Sequence, residues 1–204
     1  MLHSSRVIIG QFKQVEDTMT QFKGVSGGTL NVAVIGAGDY FFRCLLVEFA
    51  RLHTGVTLNL VVVNREEPMQ HLADNLTDLT IMGQPPTHLD TFNEAFALHP
   101  YVVLAAPVHP LAEKKRVPIT RQAREPFIAR EKESDTWNVM VEAFGPHKDA
   151  LNFAMKIRST ETVKQAVIAG MGVSFLSTHS ISRELTARSL AVLDVQGFPM
   201  MSHW

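Results

Sequence analysis

Apolar residues recur at alternating spacings of four and three over the first 23 residues, which places them on one stripe of a helix. The stripe consists of Ile8, Phe12, Val15, Met19 and Phe22. It fits an amphipathic helix packed on its own domain, but a stripe this narrow favours a seam with a helix of a second chain. We therefore predict a linker and dimerisation helix over residues 1–25.

A glycine-rich hinge at residues 24–28 ends this helix, and strand-like and helix-like segments alternate after it. Their order is strand, helix, strand, helix, strand, which predicts a parallel sheet with right-handed crossovers. The third strand is short and apolar, as buried parallel strands tend to be. The predicted strands cover residues 30–35, 58–63 and 79–83, and the predicted helices cover residues 40–53 and 66–75.

A second set of strands and helices follows, and it predicts a second lobe rather than an extension of the first sheet. Ser134 or Asp135 is the expected N-cap of its first helix. We place a first subdomain at residues 27–102 and a second at residues 103–204. The predicted strands of the second set cover residues 101–106, 127–130, 153–157, 173–176 and 190–195, and the helices cover residues 134–144, 160–169 and 179–188.

The composition, 46% hydrophobic and 19% charged, is ordinary for a soluble globular protein, and it excludes several kinds of site. The formal net charge is −1, from 19 basic and 20 acidic residues, and the chain has no basic patch of the kind that holds a nucleic-acid backbone. Cys44 is the single cysteine, which excludes an internal disulfide and a zinc thiolate cluster and fits a reducing cytoplasm. Because it lies among Phe42, Leu45 and Leu46, we predict it to be buried and inert. No apolar run reaches the roughly 18 residues of a membrane span, and the N-terminus lacks a signal-peptide pattern.

Ligands of open α/β sheets sit at the carboxyl ends of the strands, beside helix N-termini that favour anions. Two lobes that present such ends to each other would form a cleft for a small polar molecule. The polar groups there are short hydroxyls, amides and arginines, which suit ligand binding more than catalysis. The candidate positions are residues 36–39, Asn64, Arg65, Gly83 and Gln84 in the first lobe, and residues 130–136, 159–162 and 177–179 in the second.

Several of these candidates also have a purely structural explanation. Residues 159–162 precede an apolar helix and would serve as its N-terminal cap alone. Arg130 would pair with Glu131 or Glu133 at the surface, and His179 would simply begin a helix. The sequence leaves both explanations open for each of them.

The sequence VIGAG at residues 34–38 looks like the opening of a dinucleotide-binding fingerprint. The third glycine of that fingerprint would fall at position 41, where this chain has Phe41, and that glycine is needed for close packing of helix on strand. Asn64 and Arg65 end the second strand and either mark a turn or suit a 2′-phosphate. An NADP-dependent oxidoreductase with a degenerate fingerprint is thus the alternative to a binding domain, although the chain has no nucleophile elbow, P-loop or zinc-protease motif.

Several local sequences resemble the effector-binding domain of LysR-type transcriptional regulators. They are GTL at residues 28–30, LTIMGQPP at 79–86, APVHPLA at 106–112 and ETVKQAVIAGMGVSFLS at 161–177. The last of these and VVNRE at residues 62–66 are similar in particular to regulators of carbon-fixation (RuBisCO) operons. The resemblance covers nearly the whole chain.

The resemblance implies an α/β fold of two Rossmann-like subdomains, periplasmic-binding-protein-like (type 2), in a regulator that is not an enzyme. It implies a cytoplasmic dimer or tetramer without a membrane partner, which contacts DNA only through a winged helix-turn-helix preceding this chain. No cofactor or metal is implied, but a small-molecule effector is, either NADPH or a phosphorylated metabolite. By position, the effector cleft of the family would include Ala37, Gly38, Asp39, Asn64, Gly83, Arg130, Thr136, Thr160, Glu161 and Ser177.

The chain departs from the carbon-fixation subgroup at two places. Ala37 and Asp39 follow the first strand where the subgroup often has a hydroxyl and a lysine, and Asp39 would repel a phosphate. Trp137 stands where a basic residue is common in the second lobe. Both departures weaken the expectation of a phosphorylated ligand bound in the usual way. By the same resemblance, the first subdomain would lack its C-terminal strand and helix.

A solute-binding protein with the same two-lobed fold is a third alternative. The missing signal peptide and the predicted dimerisation helix disfavour it.

Overall fold

The computed structural model describes residues 27–35, 38–63, 74, 76–83 and 91–204. The side chains of Asp39, Arg43 and Val63 fall outside that description. Packing divides the chain into two units, Met1–Phe92 and Asn93–Trp204. The linker helix predicted over residues 1–25 lies outside the described residues, as does almost all of the helix predicted over residues 66–75.

The first unit contains three parallel strands in the order β2–β1–β3, as the alternation predicted. The apolar residues 32–35 of β1 are buried at the centre of this sheet. The elements are β1 (Gly28–Ile35), α1 (Asp39–Leu52), β2 (Val56–Val63) and β3 (Leu79–Ile81).

A short polar ladder accompanies the pairing of these strands. The side-chain amide of Asn59 donates a hydrogen bond of 3.0 Å to the Asn31 side chain across the β1–β2 pair. The backbone N–H and side-chain amide of Asn31 both donate to Asp78, at 2.8 and 3.0 Å, just before β3. Since a shift of one residue would break all three bonds, the ladder favours the observed register.

Cys44 is exposed, so the prediction that it is buried was wrong. The inner face of α1 is formed by Phe42, which is buried, with Leu46 and Phe49 partly buried. Residues four and seven positions after Phe42 return to that face, whereas Cys44, two positions after it, lies roughly 200° round the helix. The apolar residues near Cys44 in the sequence therefore do not predict which face of the helix it lies on.

The second unit is built on a mixed sheet in the order β6–β5–β7–β4–β8, with β9 also paired to β4. Strands β5, β6 and β7 are parallel to one another, and β4 is antiparallel to β7, β8 and β9. The strands are β4 (Leu98–Ala105), β5 (Pro126–Arg130), β6 (Asn152–Ile157), β7 (Val173–Ser177), β8 (Ala191–Val192) and β9 (Met200–His203). The helices are α2 (Ile119–Gln122), α3 (Asp135–Phe144), α4 (Thr160–Ile168) and α5 (Ser182–Thr186), with 3-10 helices at Gly145–Ala150 and Thr178–Ile181.

Several bounds in the second unit differ from those read from the sequence. The subdomain boundary placed after residue 102 falls inside β4, and the whole of β4 pairs within the second unit's sheet. The strand expected over residues 190–195 is reduced to β8, and β9 was not predicted. The helix expected over residues 179–188 is a 3-10 turn followed by the short α5.

The central strands of the second unit are buried on both faces. In β4, Tyr101, Val103 and Ala105 join the apolar cluster that α3 covers, and Val102 and Leu104 join the cluster that α4 covers. This alternation follows from the period of two of a strand. Because both faces are covered, the polar chemistry of the sheet is confined to the ends of its strands.

Gly172 lies where β7 begins beside β5, and its φ is +150°. A Cβ added there would lie 2.1 Å from the carbonyl oxygen of Pro126, a backbone atom that cannot swing aside as a side chain would. Gly170 in the same turn has a φ of +79° but nothing within 4 Å of the position of a Cβ. Substitution of Gly172 would therefore cause a steric clash, whereas substitution of Gly170 would cause backbone strain alone.

Gly172→Ala is expected to destabilise the second unit by about 2–3 kcal/mol, and Gly170→Ala by about 1 kcal/mol from backbone strain alone. The measurement is urea unfolding followed by the fluorescence of Trp137 and Trp204, which both lie in the second unit. Equal losses of stability in the two variants would contradict this account of Gly172.

Candidate functional site

Three parallel strands, β5, β6 and β7, end at one edge of the second unit's sheet, and each leads into a helical segment. Strand β4 is antiparallel to β7, with Tyr101 opposite Ser177, so the first residues of β4 lie at the same edge. We call this edge, formed by residues 98–101, 130–136, 158–161 and 177–180, the carboxyl edge. It holds every second-lobe residue proposed from the sequence for a ligand site except Thr162.

A serine hydroxyl caps each of the three helical segments at the carboxyl edge. Ser134 and Ser159 accept hydrogen bonds from the backbone N–H three residues on, at 3.1 and 3.3 Å. Ser177 accepts one from the N–H two residues on, at 3.2 Å. Of the two N-caps predicted, Ser134 or Asp135, the structure has Ser134, and the capping role predicted for the segment that begins at Ser159 is confirmed.

Arg130 and Thr160 meet on the side of the sheet that α4 covers. The Arg130 guanidinium donates to the Thr160 hydroxyl and to both carboxylate oxygens of Glu131, the latter two at 2.9 Å. Only 9% of the Arg130 side chain and 13% of the Glu131 side chain are exposed. Of the two predicted partners of Arg130, Glu131 and Glu133, it is Glu131 that forms the pair. The pair is nearly buried, however, whereas a surface pair was predicted.

Thr136 lies on the opposite side of the sheet, beside a tyrosine that the sequence did not nominate. Tyr101 is 1% exposed, and the Thr136 side chain lies near its hydroxyl. Burial raises the pKa of Tyr101, and the negative charge of Asp135 raises it further, so the phenol stays protonated. Tyr101 sits within an apolar strand, and its phenol is the only signal by which the sequence could have singled it out.

A buried aromatic stack lies at the start of β4. The ring of His99 stacks on Trp204 at 3.9 Å between centroids and lies 4.4 Å from Tyr101. Burial, with a smaller contribution from the charge of His179, lowers the pKa of His99 to about 3, so this histidine is neutral at ordinary pH. His179 itself lies with Nε2 3.0 Å from the Leu98 carbonyl oxygen and belongs to the 3-10 turn after β7.

Glu161, a nominated site residue, is engaged along its own helix. One carboxylate oxygen lies 2.7 Å from the Lys164 ammonium, and the other accepts a hydrogen bond of 3.1 Å from Gln165. These two hydrogen bonds lower the pKa of Glu161. Lys164 is buried and also pairs with Glu184 at 2.7 Å, so it ties α4 to α5.

The nominated residues of the first unit are described only in part. Ala37 and Asn64 lie outside the described residues, and the side chain of Asp39 does as well. Gly38 is buried before α1, and its N–H donates a hydrogen bond of 2.6 Å to Ile35. Gly83 is half-buried beyond β3, and because β1 and β3 are parallel neighbours, Gly38 and Gly83 lie at the same edge of their sheet.

Trp137 packs within the second unit. Its ring stacks on Phe153 with centroids 5.4 Å apart, and the Lys156 ammonium lies 5.2 Å over the same ring. A cation held over an aromatic face is attracted by the ring's quadrupole. Lys156 thus places a basic group beside position 137, where a basic residue is common in the subgroup that the sequence resembles.

The described part of the chain contains neither a cluster of metal-binding side chains nor a membrane-spanning helix. Within it, histidines, cysteines and carboxylates never gather in threes at distances that would hold a metal ion. In the same residues, every helix is too short or too polar to cross a bilayer.

Comparison with known proteins gives consistent matches. Residues 23–204 match the model of the LysR substrate binding domain. The chain is 38% identical over 204 residues to the HTH-type transcriptional activator CmpR of Synechocystis, and 39% identical over 204 residues to a RuBisCO operon transcriptional regulator of Allochromatium vinosum. Both alignments cover 100% of this chain and 67% and 68% of those proteins, so the chain spans about two thirds of their length.

A solved structure is similar over most of both chains. It is the regulatory domain of Synechocystis CcmR in complex with 2-PG, with a TM-score of 0.81 and 36% sequence identity. The similarity covers 86% of this chain and 85% of that one.

Lys164→Met is expected to destabilise the second unit by about 3 kcal/mol near neutral pH, because it leaves the half-buried Glu184 carboxylate without its partner. Replacing Lys164 by Met and Glu184 by Leu together removes both charges, so this double variant is expected to lose less. Urea unfolding followed by tryptophan fluorescence measures both. A double variant no more stable than the single one would contradict this account.

The same ion pairs give the stability a pH dependence of known sign. Since the pKa of Glu161 is lowered in the folded chain, its contribution is present above the ordinary value of 4.5 and is lost as the pH falls through the lowered value. We expect the difference in stability between the wild type and Lys164→Met to shrink below pH 4.5. A difference that stays constant down to pH 3 would contradict this assignment.

Proposed function

The chain belongs to the family of LysR substrate-binding domains, and on that premise we propose the site and the class of ligand through which it acts. It is the effector-binding domain of a LysR-type transcriptional regulator, close to regulators of RuBisCO operons. Its relatives are regulators and not oxidoreductases, so the dinucleotide-binding alternative has no support among them.

The observation that carries the proposal is the Arg130–Thr160 pair at the carboxyl edge. A guanidinium offers a planar fork that matches phosphate and carboxylate oxygens, and near burial strengthens its hydrogen bonds. The N-terminus of α4, nine residues long, adds backbone N–H groups and a partial positive charge beside this pair. These groups together suit an anion.

We propose that the effector is a small phosphorylated metabolite. The related CcmR domain was solved with 2-PG, and phosphoglycolate is therefore the first compound to test on this chain. NADPH presents the same phosphate chemistry and is the second. The Tyr101 phenol, Thr136 and Ser177 lie at the same edge and would bind the polar groups of the ligand other than its phosphate.

The candidates in the first unit stay predictions. Gly83, Ala37 and Asn64 would offer backbone N–H groups to a ligand. Gly38 would leave space beside them, since its own N–H is bonded to the Ile35 carbonyl oxygen. Asp39 would repel a phosphate at that spot, so we assign the phosphate to Arg130 in the second unit. The cleft predicted between two lobes, likewise, stays a prediction.

For the whole regulator, we propose that effector binding biases two arrangements of a cytoplasmic dimer or tetramer on DNA. Within the described residues, β2 is an edge strand of its sheet and exposes Leu60, Val61 and Val62. An exposed apolar edge strand readily pairs with another chain. LysR-type regulators oligomerise, so a second copy is the occupant we assign to it.

Val61→Lys is expected to shift the chain towards the monomer in sedimentation velocity, because it adds a charge to this edge. Val192→Lys on β8 is the matched control, since the two valines are 44% and 41% exposed. A sedimentation coefficient unchanged by Val61→Lys would show that β2 lies outside the interface between copies.

Arg130→Gln is expected to weaken phosphoglycolate binding by at least about 30-fold, because the phosphate loses its only buried cationic partner at the carboxyl edge. Isothermal titration calorimetry measures the affinity, and ribulose bisphosphate and NADPH are titrated alongside. Arg124→Gln, an exposed arginine of the same unit, is the control. Wild-type affinity in Arg130→Gln would place the ligand elsewhere.

A further inference from the structure

The fork of Arg130 is already occupied by a carboxylate of this chain. Nε of Arg130 donates to Oε2 of Glu131 and Nη2 donates to Oε1, both at 2.9 Å. Two parallel hydrogen bonds of this kind are the geometry in which arginine binds a carboxylate or a phosphate of a ligand. Nη1 donates to Thr160, so each of the three guanidinium nitrogens has a partner within the chain.

Glu131 is held in this position through its backbone. Its carbonyl oxygen accepts hydrogen bonds from the hydroxyl of Ser134 at 2.7 Å and from the N–H of Ser134 at 3.1 Å. The same Ser134 hydroxyl caps α3. Glu131 is therefore fixed at the start of a helix, whereas Glu133, two residues on, is exposed.

Resting on the proposed function of Arg130, we propose that Glu131 is a specificity-determining residue that sets the charge a ligand must carry. An anion binds the fork formed by Nε and Nη2 only by displacing the Glu131 carboxylate. A monocarboxylate exchanges one singly charged group for another and gains little. A phosphate monoester carries a charge of about −1.5 to −2 near pH 7 and three acceptor oxygens, so it gains from the exchange.

A second carboxylate lies at the same edge but is not displaced by a ligand. Asp135 is buried at the start of α3, and its charge reaches Tyr101 at the carboxyl edge. Arg130 also acts on Tyr101, so the two charges belong to one local field. Glu131 is therefore the carboxylate that competes with a ligand for the guanidinium, and that exchange favours the dianion of a phosphate ester over a singly charged anion.

The test is calorimetric titration of the full chain with phosphoglycolate and with glycolate, its unphosphorylated counterpart. The variants are Glu131→Gln, which keeps the size and an acceptor oxygen, and Glu133→Gln as the matched control. We expect Glu131→Gln to bind glycolate on the order of tenfold more tightly than the wild type, with a smaller gain for phosphoglycolate. The preference for the phosphorylated compound falls accordingly, and Glu133→Gln behaves as the wild type.

Three outcomes would overturn the proposal. They are an unchanged preference in Glu131→Gln, a weakening of both ligands, which would make Glu131 a direct ligand contact, and an absence of any binding by Glu131→Gln. Thermal melting of each variant establishes that it is folded. Failure of the proposed function is recognised separately, because then Arg130→Gln keeps the wild-type affinity for phosphoglycolate.

Discussion

The antiparallel pairing of β4 with β7 at the centre of the second unit's sheet is the constraint on which the site depends. It sets Tyr101 opposite Ser177 and brings the start of β4 to the edge where β5, β6 and β7 end. Apolar clusters cover both faces of these strands, so the sheet has little freedom to slip in register. The polar residues at the ends of β5, β6 and β7, which the sequence predicted, are therefore joined at one edge by Tyr101, which only the topology places there.

The carboxyl edge divides its polar groups between structure and ligand. Its three serine hydroxyls satisfy backbone N–H groups of the helical segments that follow them. Arg130 is different, because its nearly buried charge is paired with a carboxylate of the same chain, and we propose that a ligand anion replaces that carboxylate. Because the Glu131 carboxylate occupies the Arg130 guanidinium, the site stays preorganised without ligand. The same carboxylate lets the site discriminate between ligands by their charge.

The sequence predicted those parts of the fold that follow from local patterns. Alternating and continuous apolar runs placed the strands, and Ser134 before an apolar helix predicted its cap. The sequence could not predict that the second sheet is mixed, because the apolar pattern of β4 is the same whether its neighbouring strand is parallel or antiparallel. Cys44 was misplaced because sequence neighbours are not helix-face neighbours. Glu131 was offered as a surface partner of Arg130, and its near burial depends on packing between segments distant in sequence.

The central claim is that a phosphate-bearing effector binds at the carboxyl edge through Arg130. Two-dimensional ¹H–¹⁵N spectra recorded during a titration with phosphoglycolate test it most directly, because they report on each backbone N–H and on the arginine side chains. The account predicts that the largest shifts fall on the Arg130 Nε–H and on the backbone N–H groups of residues 131–136 and 159–162. Largest shifts that cluster elsewhere in the second unit, with the Arg130 Nε–H unmoved, would contradict it.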